Sequence, residues 1–257
     1  LYTAFAATHA PLQVPREYIE KYVPVFERGW DRIREERYRR QLEMGVIPAS
    51  TRLPPRNPGD PAWDGLSAEE RTVYTRFMAA YAGFLEHADE QVGRLIRFLK
   101  ERSLFENTAI FLVSDNGGAP EAGVRGGFAR PYGDQTSVHE MYRRLDQLGT
   151  EKTQPLYQRP WAMASGTPFK YYKLWPYRGG VSTPLIVSWP AGIKNPGLRR
   201  QFVDIIDITP TVLDITGIAA PAMFEGVCQM PMHGSSIRAT FHDPDAPAPR
   251  TTQYFEL

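Results

Sequence analysis

The sequence predicts an α/β fold: a largely parallel, mixed sheet flanked by helices, and incomplete. Three observations carry this. Short unbroken apolar runs occupy residues 109–113 and 184–189, the pattern of strands covered on both faces. Apolar residues at helical spacing fill residues 67–102, and a second helix follows Thr209-Pro210. Strand and helix therefore alternate, which favours parallel pairing.

Composition narrows the classes. The 257 residues hold 30 Lys and Arg against 29 Asp and Glu, a net charge of +1. A nucleic-acid-coating protein would carry a larger basic excess, so no nucleic-acid partner is expected. Apolar residues at 42% can build a core and are too many for a disordered chain. No apolar run approaches the roughly eighteen residues of a membrane span. A single cysteine, Cys228, excludes an internal disulfide and a multi-cysteine zinc site.

The elements follow in order. Leu1-Tyr2-Thr3-Ala4-Phe5-Ala6 reads as a buried strand, and Gln253-Tyr254-Phe255-Glu256-Leu257 is again strand-like. Termini usually lie at the surface, so both ends look cut from a longer protein. A loop holds Thr8-His9-Ala10-Pro11, and Pro15 opens a short helix over 15–26. Residues 30–44 mix Arg32, Arg34, Arg37, Arg39 and Arg40 with Glu35, Glu36 and Glu43, a solvated helix with ion pairs. Pro48, Pro54, Pro55, Pro58 and Pro61 make 47–65 an irregular excursion.

Ser67 and Glu70 form a capping box. The stripe Val73, Phe77, Tyr81, Phe84, Ala88, Val92, Leu95 and Leu99 then marks the clearest helix, to about Arg102. Residues 202–206 read as a weaker third strand, and the helix after Thr209 ends at Gly217. The long connection 117–183 carries Phe169, Tyr171, Tyr172, Trp175 and Tyr177, which favours an ordered, functional segment.

Several residues could carry chemistry. Ser114-Asp115-Asn116-Gly117-Gly118 leaves the end of a strand, where ligands bind in open α/β sheets. Asp115 and Asn116 offer hard oxygen donors suited to Ca²⁺ or Mg²⁺; an Asx turn is the plainer alternative. His9, also past a strand, could exchange a proton near neutrality or serve only in structure. Lys170, Lys173 or Arg178 could each set a cation against an anionic substrate. There is no phosphate-loop, His-Glu-x-x-His or Gly-x-Ser-x-Gly pattern.

Six stretches in order resemble the type I sulfatases of the alkaline phosphatase superfamily, most of all large bacterial arylsulfatases. They are residues 2–15 with Thr8-His9-Ala10-Pro11-Leu12-Gln13, Phe111-Leu112-Val113-Ser114-Asp115-Asn116-Gly117-Gly118, and Thr167-Pro168-Phe169 through Lys173 to Arg178-Gly179-Gly180. Residues 183–193, Asp207-Ile208-Thr209-Pro210-Thr211-Val212-Leu213 and Thr251-Thr252-Gln253-Tyr254-Phe255-Glu256 complete the set. The resemblance implies a sulfuric ester hydrolase acting on a small-molecule sulfate monoester. It implies that Asp115 and Asn116 are two ligands of Ca²⁺, with Mg²⁺ the second choice. It places His9 near the ester's leaving oxygen and selects Lys173 to contact the sulfate. Arg178 stands where many relatives have Glu.

It also implies what lies elsewhere. The family's formylglycine nucleophile comes from a Cys/Ser-x-Pro-x-Arg motif, which Cys228-Gln229-Met230-Pro231-Met232 does not match. That motif and the paired aspartates completing the metal site belong to the family's N-terminal part. The chain is therefore expected to be an internal or C-terminal fragment, inactive alone. Residues 1–217 would be the central and C-terminal part of the catalytic domain, and 218–257 a connection and the start of a smaller C-terminal subdomain. One alternative is a phosphodiesterase or phosphonate monoester hydrolase, which commonly has Asp-His in place of Asp115-Asn116 and prefers transition metals. Another is a non-catalytic anion- or carbohydrate-binding relative. Oligomeric state and compartment stay open; one cysteine fits bacterial cytoplasm and periplasm alike.

Overall fold

The computed structural model describes residues 1–256. They divide into two compact units, one made of Leu1–Arg97 with Asn116–Thr183, the other of Phe98–Asp115 with Pro184–Glu256.

The first unit is built on three long helices. Pro15 precedes α1 (Arg16–Phe26), which turns Ile19 and Phe26 inward. Helix α2 (Gly29–Glu43) carries exposed pairs one turn apart, Arg32 with Glu36 at 3.0 Å and Arg39 with Glu35 at 3.1 Å. Its other face is not solvated as expected. Trp30, Ile33 and Arg34 are buried, Arg34 donates to the Pro54 carbonyl at 2.8 Å, and Arg37 donates to that of Ala164 at 2.9 Å. Helix α3 (Ala68–Glu101) begins at the expected capping box: Glu70 N donates to Ser67 Oγ at 3.2 Å, and Ser67 N to Glu70 Oε2 at 2.7 Å. It buries Val73 through Ala80 and Gly83, all in its first half.

Trp30, Trp63 and Trp161 form the centre of this core, with ring centroids 4.7 to 5.7 Å apart in edge-on packing. Two of the buried indoles have backbone acceptors: Trp161 Nε1 donates to the Tyr74 carbonyl at 3.0 Å and Trp30 Nε1 to that of Pro61 at 3.1 Å. Gly29 has φ +79°, and a Cβ there would lie 2.2 Å from Trp63 Cγ, so glycine is required. The connection 117–183 is ordered. It contains α4 (Val138–Arg143), α5 (Arg159–Ser165) and α6 (Arg178–Val181), and it supplies Trp161 to the core.

The second unit contains β1 (Ile110–Val113) and β2 (Leu185–Ser188), the two strands with the clearest sequence signal. They pair antiparallel, Ile110 opposite Ser188 and Val113 opposite Leu185. This corrects the largely parallel sheet: each described sheet has two antiparallel strands. An apolar run specifies burial but not direction, and the intervening chain is long enough for either pairing. The strands are also less covered than their composition suggests. Leu112 is 43% and Ile186 57% exposed.

Helix α7 (Ile208–Thr216) ends on Gly217 at φ +68°, as the sequence implies. A hairpin joins β3 (Met223–Phe224) to β4 (Val227–Cys228) through Glu225 and Gly226, both at positive φ. The remaining expected strands do not form among the described residues. Residues 1–6 are exposed and irregular, lacking the ladder partner that a strand requires. Residues 202–206 give way to a 3-10 turn at Ile205–Asp207, because Asp204 accepts from Ile206 N at 3.1 Å and its own N–H donates to Asp207 Oδ2 at 2.8 Å. Those local bonds compete with sheet pairing. Residues 253–256 are exposed and irregular, and Leu257 lies outside the described residues.

Candidate functional site

The turn after β1 and the loop before β2 are the segments that the sequence marks for chemistry. Asp115 is exposed at the end of the second unit's first segment, directly before Asn116. Asn116 is half-buried and its Nδ2 donates to the Gly117 carbonyl at 3.0 Å. Two backbone bonds then stitch this turn to the lysine loop within the first unit. Gly117 N donates to the Gly180 carbonyl at 2.9 Å, and Lys173 N donates to that of Gly118 at 3.0 Å.

The glycines make this approach possible. A Cβ on Gly117 would fall 1.8 Å from the Gly179 oxygen, and one on Gly179 would fall 2.1 Å from the Tyr171 oxygen. The backbone between them is strained: Tyr171 at φ +63° and Leu174 at φ +73° are non-glycine residues in the left-handed region, on either side of Lys173. Tyr171 stacks on Trp175, centroids 4.4 Å apart at 10°, and Tyr177 leans on both.

The three candidate cations of this loop go to different places. Lys170 Nζ lies over the rings of Tyr171 and Tyr177, at 5.0 and 5.7 Å. The Arg178 guanidinium covers Phe169 at 4.5 Å. Lys173 Nζ forms an ion pair with Glu121 Oε1 at 2.9 Å, the two side chains 25% and 16% exposed. Sequence reasoning missed Glu121, because no spacing rule links an acid in one loop to a lysine 52 positions on (173 less 121). The neighbouring Tyr157 is buried and accepts from Ala119 N at 3.0 Å. Burial pushes its phenol pKa up, and the Glu121 charge adds to the rise.

His9 stands in its own loop. It is exposed, with Nδ1 2.8 Å from the Ala10 carbonyl oxygen. That loop is fastened by Leu12 N to the Pro155 carbonyl at 2.9 Å and Gln13 Nε2 to that of Thr153 at 2.7 Å.

The donor chemistry of Asp115 and Asn116 suits a hard cation, but Ca²⁺ takes about six to eight oxygens. Asp115 and Asn116 would supply part of that set. Among the described residues no group of three or more His, Cys, Asp or Glu gathers as a metal centre. Cys228 is exposed on β4, without the Pro and Arg spacing of a formylglycine site.

Comparison with known proteins gives a consistent picture. A family model described as Sulfatase matches residues 1–218. An uncharacterized sulfatase of Schizosaccharomyces pombe is 33% identical over 227 residues, covering 88% of this chain and 40% of its own length. An arylsulfatase of Klebsiella aerogenes is 27% identical over 241 residues, covering 92% of this chain and 50% of its own. An N-acetylgalactosamine-6-sulfatase of Canis lupus familiaris is 25% identical over 142 residues, 55% of this chain and 20% of that protein. The chain thus spans half or less of the length of these relatives.

Proposed function

The chain belongs to the sulfatase family, and from that premise we propose that the whole protein is an arylsulfatase-type hydrolase of small-molecule sulfate monoesters. The observation that carries the reading is the stitching of the Asn116-Gly117-Gly118 turn to the Lys173 loop by two backbone bonds. It sets an oxygen-donor turn beside a loop that carries a cation. Family membership implies an alkaline phosphatase-like α/β fold and, in general, a divalent metal and a formylglycine.

Each residue then has a task. Lys173 donates to a sulfuryl oxygen and stabilises the sulfate charge as it shifts in the transition state. His9 hydrogen-bonds the leaving oxygen or protonates it as the ester bond breaks. Asp115 and Asn116 would hold a Ca²⁺ ion, with further oxygen ligands completing its shell. Such a cation, when bound, would supply Lewis-acid stabilisation of the sulfate's negative charge. In this reading residues 1–217 are the central and C-terminal part of the catalytic domain, and 218–257 a connection and the start of a smaller subdomain. The chain by itself has no motif for the nucleophile, so by itself it does not turn over sulfate esters.

The test uses the full-length protein and an aryl sulfate. Replacing Lys173 by Ala should lower kcat/KM by about a hundredfold or more, the usual loss when one charge-stabilising donor goes. An unchanged kcat/KM in Lys173→Ala would overturn the assignment. Chelation should abolish turnover and Ca²⁺ restore it; restoration by Mn²⁺ or Zn²⁺ alone would favour the phosphodiesterase alternative.

A further inference from the structure

We propose that Glu121 sets the charge selectivity of the site, favouring monoanionic sulfate esters over dianionic phosphate monoesters. The inference rests on the reading of Lys173 as the sulfate-binding cation and adds to it a residue that sequence reasoning did not find.

Three observations carry it. Glu121 Oε1 lies 2.9 Å from Lys173 Nζ. Its other oxygen, Oε2, is buried with no hydrogen-bond partner among the described residues. Lys173 is therefore the direct counter-charge of a carboxylate that is otherwise poorly compensated. Third, the lysine is fixed at its backbone, by the bond to Gly118 and by the left-handed residues Tyr171 and Leu174. A short ion pair on a fixed backbone keeps the carboxylate next to whatever the ammonium binds.

The consequence is electrostatic. An ammonium has three N–H donors, so one can serve Glu121 while another serves a ligand oxygen. The pair presents a donor but no net positive charge. A sulfate ester brings one negative charge, whereas a phosphate monoester brings close to two at neutral pH. Repulsion from Glu121 acts on each charge, so the dianion is penalised about twice as heavily. Glu121 also positions Nζ, but positioning alone would affect both esters alike.

The experiment compares an aryl sulfate and the matching aryl phosphate on the full-length protein. Glu121→Gln keeps shape and a hydrogen-bond acceptor and removes the charge. It should raise the phosphate-to-sulfate ratio of kcat/KM about tenfold, a differential repulsion that lies between the bulk-water and protein-surface limits for one charge pair. Glu121→Asp keeps the charge and should leave the ratio near that of the unsubstituted protein. An unmoved ratio in Glu121→Gln, or the same shift in Glu121→Asp, overturns the proposal.

A second measurement needs no variant. A monoanionic aryl methylphosphonate should inhibit the unsubstituted protein about tenfold more tightly than the dianionic aryl phosphate. Equal inhibition also overturns the proposal. Absence of aryl sulfate turnover in the unsubstituted protein would overturn the underlying reading instead. Normal sulfate turnover with an unmoved ratio removes only the role of Glu121.

Discussion

At the scale of single residues, hydrogen bonds to charged groups leave the clearest measurable signature, and Asp134 shows it best. Burial alone would raise its carboxyl pKa. The opposing bonds win: Thr136 N at 2.9 Å, Thr136 Oγ1 at 2.7 Å, Ala129 N at 2.7 Å and Phe128 N all donate to it. The result is a pKa lowered to about 2. A depressed carboxyl stabilises the fold above its unfolded pKa, and that contribution fades as pH falls from about 4 towards 2. Asp134→Asn should therefore cost roughly 1–2 kcal/mol at neutral pH. Melting curves of the two proteins should converge near pH 2; a gap of constant size across that range would refute the account. Glu121 belongs to the same scale, a single acid whose importance lies in what it faces.

At the scale of elements, local signals explain the start of α3 and the end of α7. The reciprocal bonds of Ser67 and Glu70 begin α3, and Gly217 closes α7. Ser67→Ala should lower stability by about 1 kcal/mol, read by denaturant titration, with helix content otherwise retained. No change would mean that packing of the first half of α3 alone holds its start. The strands behave differently. β1 and β2 were legible as strands because of their apolar runs, yet their antiparallel register follows from pairing across a separation of more than seventy residues. The expected strand at 202–206 failed for a local reason, the side-chain bonds of Asp204 and Asp207.

At the scale of the whole molecule, the two units rest on different kinds of interior. The first has the tryptophan cluster. The second has a polar centre at Asp207, fully buried, which accepts from Asp204 N and Ser235 N at 2.8 Å each and is paired with Arg250. Thr211, one turn along α7, donates to the Asp207 carbonyl at 2.6 Å and accepts from Ile237 N at 3.0 Å. Removing one partner of such a network leaves the others buried and unpaired. Asp207→Ala should cost about 3 kcal/mol or more within the second unit. Amide exchange should rise at residues 235–237 and stay unchanged at residues 159–165. A uniform rise through both units would show that they unfold as one.

By itself the sequence determined the helices α1, α2, α3 and α7, the capping box of α3, the closing Gly217 of α7 and the family, but not the short helices of the connection 117–183. Each depends on residues a few positions apart, or on motifs kept in order along the chain. It also selected the lysine loop and the Asp115-Asn116 turn, since glycine pairs and strand ends are local marks. Only the tertiary structure decided strand direction, the inward turn of Arg34 and Arg37, the failure of residues 1–6 to form a strand, and the partner of each loop cation. Those outcomes depend on which distant groups meet. Pairing of Glu121 with Lys173 is settled by the folded backbone, because a charge carries no information in sequence about which opposite charge lies 2.9 Å from it.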